Sequence, residues 1–136
     1  MTNFIITPYE PTDDPSKWEA LRTASDLKIN PAEYKRQLLR KWPDAEFFNV
    51  TKELPLQWCL DVKLKDSSVI PGAIGSLSSD LQTISIDTPN TDFFFWHRKV
   101  IPNKYKLFLF NTSAWDSLEL TSSTTVEEIR KFIAGD

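Results

Sequence analysis

Cysteine and histidine are nearly absent from this sequence, which has one of each among 136 residues. A single cysteine, Cys59, cannot form an internal disulfide, so the sequence predicts a reducing compartment rather than a secreted disulfide scaffold. Cys59 and His97 alone cannot form a structural zinc site, which needs clustered Cys and His ligands. Only three glycines are present, and none belongs to a phosphate-binding loop. We therefore predict no metal, no cofactor and no marked catalytic residue.

The sequence also lacks a basic excess and long apolar runs. Its 16 Lys and Arg residues are outnumbered by 19 Asp and Glu residues, which gives a net charge of -3. Nucleic-acid-binding domains usually carry a positive excess, so we predict no nucleic-acid function. No run approaches the roughly 18 apolar residues that a membrane helix needs. The stretch from Met1 to Pro8 lacks a basic leader, and we expect a cytoplasmic protein that does not bind membranes.

Four segments have the start signals or the apolar periodicity of helices. The clearest begins at Asn30, where an Asn cap, Pro31 and Glu33 can satisfy the free backbone donors of a helix start. Its apolar residues recur at a spacing near 3.6, and Pro43 blocks its continuation. Before the last helix, Thr124 with Glu127 or Thr125 with Glu128 can form a capping box. The predicted helices span about 14–24, 30–42, 91–101 and 125–134.

Alternating apolar residues predict the strands. The strongest pattern spans 56–64, where Trp58, Leu60 and Val62 share one face and are predicted to mark the main core. Further strands are predicted at 45–50, 105–110 and 116–120, and a hairpin joins 73–77 to 81–87. The element order indicates a single α+β domain over residues 1–136. Its mainly antiparallel sheet of about five to six strands is covered by helices near both termini and by the helix at about 91–101.

The helix at about 91–101 contains four adjacent aromatic residues, the only histidine and a basic pair. A general base needs a nucleophile and an orienting group, and the sequence marks neither beside His97. A packed structural histidine is therefore the favoured interpretation. The alternative is a small-molecule-binding protein or enzyme with an aromatic-lined cavity near Trp96 and His97. The residues of that ligand-binding hypothesis are Trp58, Trp96, His97 and Arg98.

The charge distribution carries the leading functional hypothesis. No Lys or Arg occurs from Ser67 to Asp92, whereas Asp80, Asp87 and Asp92 lie there among many hydroxyl side chains. Such a segment would present an acidic surface to a basic protein, although a solvated sheet face is the simpler interpretation. Trp115 lies in a polar connection, where its ring either folds over the sheet edge or anchors a partner. A basic stripe on the second helix is interpreted as solvated; it comprises Lys35, Arg36, Arg40 and Lys41.

The C-terminal third resembles small cyanobacterial proteins that have no assigned activity. The resemblance is carried by Trp96-His97-Arg98, Ile101-Pro102, Tyr105 to Phe110 and Leu118 to Thr121. It implies a bacterial cytoplasmic setting and transfers no catalytic residue. We hypothesise a non-enzymatic protein–protein interaction module, of an immunity or antitoxin-like kind, whose partner is a basic protein. The residues of its hypothetical interface are Asp80, Asp87, Asp92 and Trp115, and the sequence does not predict an oligomeric state.

Overall fold

The computed structural model describes residues 4–11, 14–48, 51–60, 62–63, 69–70, 74–87 and 89–135. Within these ranges lie four α-helices and a seven-stranded antiparallel sheet, which confirms the α+β prediction with slightly more strands than expected. The helices are Trp18–Ala24 (α1), Pro31–Lys41 (α2), Thr91–Val100 (α3) and Val126–Ala134 (α4). The strands are Phe4–Thr7 (β1), Glu46–Phe47 (β2), Leu56–Cys59 (β3), Val62–Lys63 (β4), Val69–Ile70 (β5), Ile74–Leu77 (β6), Ile84–Ile86 (β7), Leu107–Asn111 (β8) and Asp116–Leu120 (β9).

The sheet has the strand order β2-β3-β6-β7-β1-β8-β9, and every neighbouring pair is antiparallel. Strand β1 lies between β7 and β8, where Ile6 is opposite both Ile84 and Leu109. The sequence pattern predicts no strand here. A run of three apolar residues has no readable period, and β1 is fixed by its partners on both sides, which lie far along the chain.

The predicted strand at 56–64 is wrong in its extent. Strand β3 ends at Cys59, and β4 pairs with β5 in a separate two-stranded ladder. Trp58 and Leu60 are fully buried, as predicted, whereas Asp61, Leu64 and the side chain of Val62 lie outside the described part. The hairpin prediction is confirmed by the β6–β7 pair. The strand predicted at 45–50 is shorter than expected, since β2 ends at Phe47, while Asn49 and Val50 are not described.

Helix ends follow the capping signals closely. The Asn30 side chain accepts a hydrogen bond from the Glu33 amide at 3.0 Å. Of the two predicted capping boxes, the one between Thr125 and Glu128 is formed. Helix α1 differs from the prediction because a 3₁₀ turn at Pro15–Lys17 precedes it and none of its residues is fully buried. Among the described helices, none is both long enough and apolar enough to cross a membrane.

The two faces of the sheet have different coverings. On the inner face, Ile6, Ile84 and Leu109 join one hydrophobic core with residues of α2, α3 and α4; these include Leu38, Phe93, Phe94 and Ile129. Alternation along the strands directs Ile5, Ser85 and Phe110 to the outer face. Helix α1 lies on that outer face, since its Trp18 ring contacts Phe110 edge-on with centroids 5.9 Å apart.

Candidate functional site

His97 is fully buried on the inner side of α3. Its Nδ1 lies 2.7 Å from the Tyr34 hydroxyl oxygen, and its ring stacks on Phe93 with centroids 6.0 Å apart. Burial, together with a smaller effect of the nearby positive charge of Arg98, lowers the pKa of His97 to about 3. Burial also raises the pKa of Tyr34. His97 is therefore a neutral packed residue that solvent does not reach.

This burial makes stability depend on pH. The folded-state pKa of about 3 lies below the ordinary value of 6.5. Between these two pH values, the unfolded chain binds a proton at His97 and the folded protein does not. The associated stability is fully present above pH 6.5 and is lost as the pH falls toward 3. We expect the free energy of unfolding to drop by about 2 kcal/mol between pH 7.5 and pH 5. Urea denaturation at the two pH values measures this loss.

His97 is the only histidine, which makes the control simple. A His97→Gln variant should lose much less stability over the same interval, whatever its stability at pH 7.5. An equal loss in the variant and the wild-type protein would assign the pH dependence to carboxylates instead.

Among the cavities formed by the described residues, none that we find is lined by all four residues of the ligand-binding hypothesis. Trp58 and His97 have no solvent-exposed surface, and Trp96 is half-buried. Trp58 packs against Tyr34 and Phe93, with ring centroids 5.7 and 5.9 Å apart. The aromatic residues therefore fill space that a ligand would need.

Arg98 is the fourth residue of that hypothesis, and its guanidinium group is hydrogen-bonded to backbone carbonyls. It donates hydrogen bonds at 2.9 Å to the carbonyl oxygens of Ile101, Pro102 and Tyr105, and one at 3.2 Å to that of Leu120. The side chain thus ties the end of α3 to the following loop and to β9. Burial lowers the pKa of Arg98. These hydrogen bonds connect separate parts of the backbone. They use the donors of both terminal guanidinium nitrogens, so neither nitrogen can donate to a ligand.

The three aspartates of the hypothetical interface lie apart. Asp80 is in the β6–β7 turn, where its carboxylate lies 3.6 Å from the Arg22 guanidinium and accepts the Gln82 amide hydrogen at 3.2 Å. Asp87 is at the opposite end of that hairpin, where it accepts the Ile74 amide hydrogen at 2.8 Å. Asp92 is exposed in the first turn of α3, which covers the inner face. Of the three, Asp87 continues the outer-face alternation of β7.

The outer face gains other carboxylates from the strand register. Asp87, Glu46 and Glu119 share this face with hydroxyl side chains that include Ser76 and Ser85. In the seven described strands of the main sheet, no Lys or Arg points to this face. We call Asp87 and the outward-facing residues of these strands the acidic face. Glu46 and Glu119 lie outside the segment 67–92, so charge counting along the sequence missed them.

Trp115 lies in the turn between β8 and β9, at one edge of the acidic face. It is 47% exposed, and its φ of 56° places it in the left-handed region. Its ring stacks on Trp18 with centroids 5.8 Å apart and meets Phe110 edge-on at 5.0 Å. We call Trp18, Phe110 and Trp115 the aromatic cluster. Trp18 is only half-buried, and it does not belong to the hydrophobic core on the inner face.

Comparison with protein-family models, curated proteins and solved structures finds no match to this chain. Within the described ranges, no three His, Cys, Asp or Glu side chains are grouped to hold a metal ion. Function must therefore be inferred from the geometry of the chain itself, in which the acidic face and the aromatic cluster are adjacent.

Proposed function

We propose that the protein is a non-enzymatic protein-binding module that binds a basic protein through the acidic face and the aromatic cluster. One observation carries the proposal: a half-exposed tryptophan stands beside a sheet face that presents Glu46, Asp87 and Glu119 and has no cation among its described strand residues. An immunity or antitoxin-like role, with a basic toxin as the partner, is the most specific form of this proposal.

The conformation of Trp115 supports a binding role. A bulky residue at positive φ is strained, and glycine or asparagine would adopt this turn at lower cost. The contacts with Trp18 and Phe110 offset part of that strain, and they hold the ring in one position while much of it stays exposed. A rigid, partly exposed tryptophan is typical of an interface anchor because it buries a large area with little loss of side-chain freedom.

Carboxylates on the same sheet face as this anchor favour a basic partner. Complementary charge mainly accelerates encounter, whereas a buried aromatic anchor mainly slows dissociation. Glu119 is exposed in β9 on the acidic face, and Asp92 is exposed on α3 on the other side of the sheet. These two residues give a matched pair of charge reversals, one inside the proposed interface and one outside it.

We expect Trp115→Ala to weaken binding by more than about 1 kcal/mol through faster dissociation. Glu119→Lys should slow association and flatten its salt dependence, and Asp92→Lys should change neither rate. The measurement is affinity capture from the native host followed by surface plasmon resonance with the basic protein that is captured. If wild-type protein, Trp115→Ala and Glu119→Lys capture the same proteins equally well, this interface is wrong.

A further inference from the structure

A groove runs between α2 and α3 on the helical side of the molecule. It consists of two clefts of about 350 and 320 Å³. Gln37 and Val100 line both clefts, so the two join into one surface feature. The first cleft extends to the loop after α3, and the second extends to the C-terminal end of α2. None of the residues of the acidic face or the aromatic cluster lines either cleft.

The charges that line this groove are mostly positive. Lys28 and Lys104 lie at one end, and Arg40 and Lys41 lie at the other. The lining carboxylate, Glu33, is engaged by Arg36 and by the Gln37 amide at 3.1 Å. Among the described residues, no ion pair joins the four cations to a carboxylate. Because the whole chain has a net charge of -3, this positive field is a local property of the groove.

The basic stripe predicted on α2 therefore divides into parts with different surroundings. Lys35 lies over the Phe47 ring at 4.8 Å, and Arg36 pairs with Glu33. Only Arg40 and Lys41 face the groove. Arg40 and Lys41 have no carboxylate partner among the described residues.

Apolar and aromatic surface separates the two positive ends. Val100 and the half-buried Trp96 line the second cleft, and the Trp96 ring is held edge-on by Tyr34 and Trp42 with centroids 5.3 Å away in each case. At the ends, Lys104 lies over the Tyr105 ring at 4.9 Å and Lys41 over the Trp42 ring at 5.8 Å. Cations placed beside an apolar floor suit a ligand that carries both carboxylates and apolar side chains.

We infer that this groove binds an acidic peptide segment in an extended conformation. Its carboxylates would pair with the cations at the two ends, and an apolar side chain between them would lie against Val100 and Trp96. Residues 30 and 41 are about 16 Å apart along α2 at 1.5 Å per residue. That distance matches about five residues of extended chain.

The shape and charge of the groove favour a peptide over other anions. A small-molecule site encloses most of its ligand, whereas these clefts lie on the surface and join lengthwise. A nucleic acid would bring a dense polyanion toward a chain whose net charge is negative, and only four cations line the groove. An acidic peptide needs only the few, well-separated cations that are present. This inference does not depend on the proposed function of the acidic face.

The test uses a fluorescent peptide of about ten residues that alternates glutamate with leucine, measured by fluorescence anisotropy at low salt. We expect saturable binding that weakens with added salt, and little binding of the same peptide with glutamine in place of glutamate. The double variants Lys28→Glu/Lys104→Glu and Arg40→Glu/Lys41→Glu should each weaken binding by about tenfold or more. All four side chains are exposed, so folding should persist.

The control is the double variant Lys17→Glu/Lys131→Glu, which makes the same charge change at exposed positions that do not line the groove. It should bind the peptide nearly as well as wild-type protein. Equal weakening by the control would show a nonspecific charge effect and overturn the site. Tighter binding of a single-stranded oligonucleotide than of the peptide, or weakening by only one of the two groove variants, would overturn the extended-peptide assignment.

Discussion

Replacing Arg98 with alanine is expected to lower the free energy of unfolding by about 3–5 kcal/mol. The guanidinium group donates to four backbone carbonyls, and the residue is only 6% exposed. Alanine would remove the guanidinium donor from all four carbonyl oxygens. The Pro102 oxygen keeps a hydrogen bond from the Tyr105 amide, whereas the hydrogen bonds lost at Ile101 and Leu120 are buried. Chemical denaturation at neutral pH, followed by circular dichroism, measures the loss.

Two further substitutions separate the geometry of Arg98 from its charge. Arg98→Lys keeps the charge but not the planar fork that reaches several carbonyls, so it should restore only a small part of the lost stability. Arg130→Ala removes an exposed arginine whose pairing with Glu127 is at the surface, and should change stability by less than about 0.5 kcal/mol. Full restoration by lysine would show that a positive charge alone is needed here.

The sequence predicts the elements whose signals are local. The Asn30 cap, the Thr125 capping box and the β6–β7 hairpin each depend on residues within a few positions of one another, and the structure contains all three. Strand β1 is different because its neighbours in the sheet are contributed by residues about 80 and 100 positions later. The end of β3 at Cys59 is likewise not predictable from the sequence, because the alternation of apolar residues continues to Leu64.

The candidate site was less predictable than the fold because it depends on register. Asp80 and Asp87 are close in sequence, yet the hairpin separates them to opposite ends of the sheet. Glu46 and Glu119 are distant in sequence, yet strand pairing directs them to the same face. Arg98 lies near the C-terminal end of α3, where a cation is favourable. No local sequence signal predicts that it also donates a hydrogen bond to the carbonyl of Leu120.

Trp58 and Gly75 face each other across β3 and β6, and this pair is the basis of the second large effect that we expect. A Cβ atom at Gly75 would lie 2.5 Å from two atoms of the buried Trp58 ring. Trp58→Ala should lower the free energy of unfolding by about 3–5 kcal/mol, because it empties a fully buried site. Gly75→Ala should cost about 1–3 kcal/mol, since Tyr34 and Phe93 leave the ring little room to shift.

A double-mutant cycle tests whether these two costs have one cause. If the Gly75→Ala cost is a clash with the Trp58 ring, the same substitution in the Trp58→Ala background should be nearly neutral or slightly stabilising, since alanine suits a strand interior better than glycine does. Urea denaturation of the four proteins gives the coupling energy, and Trp58→Leu replaces Trp58→Ala if the latter fails to fold. Additive costs would show that glycine is needed at this position for a reason other than the tryptophan ring.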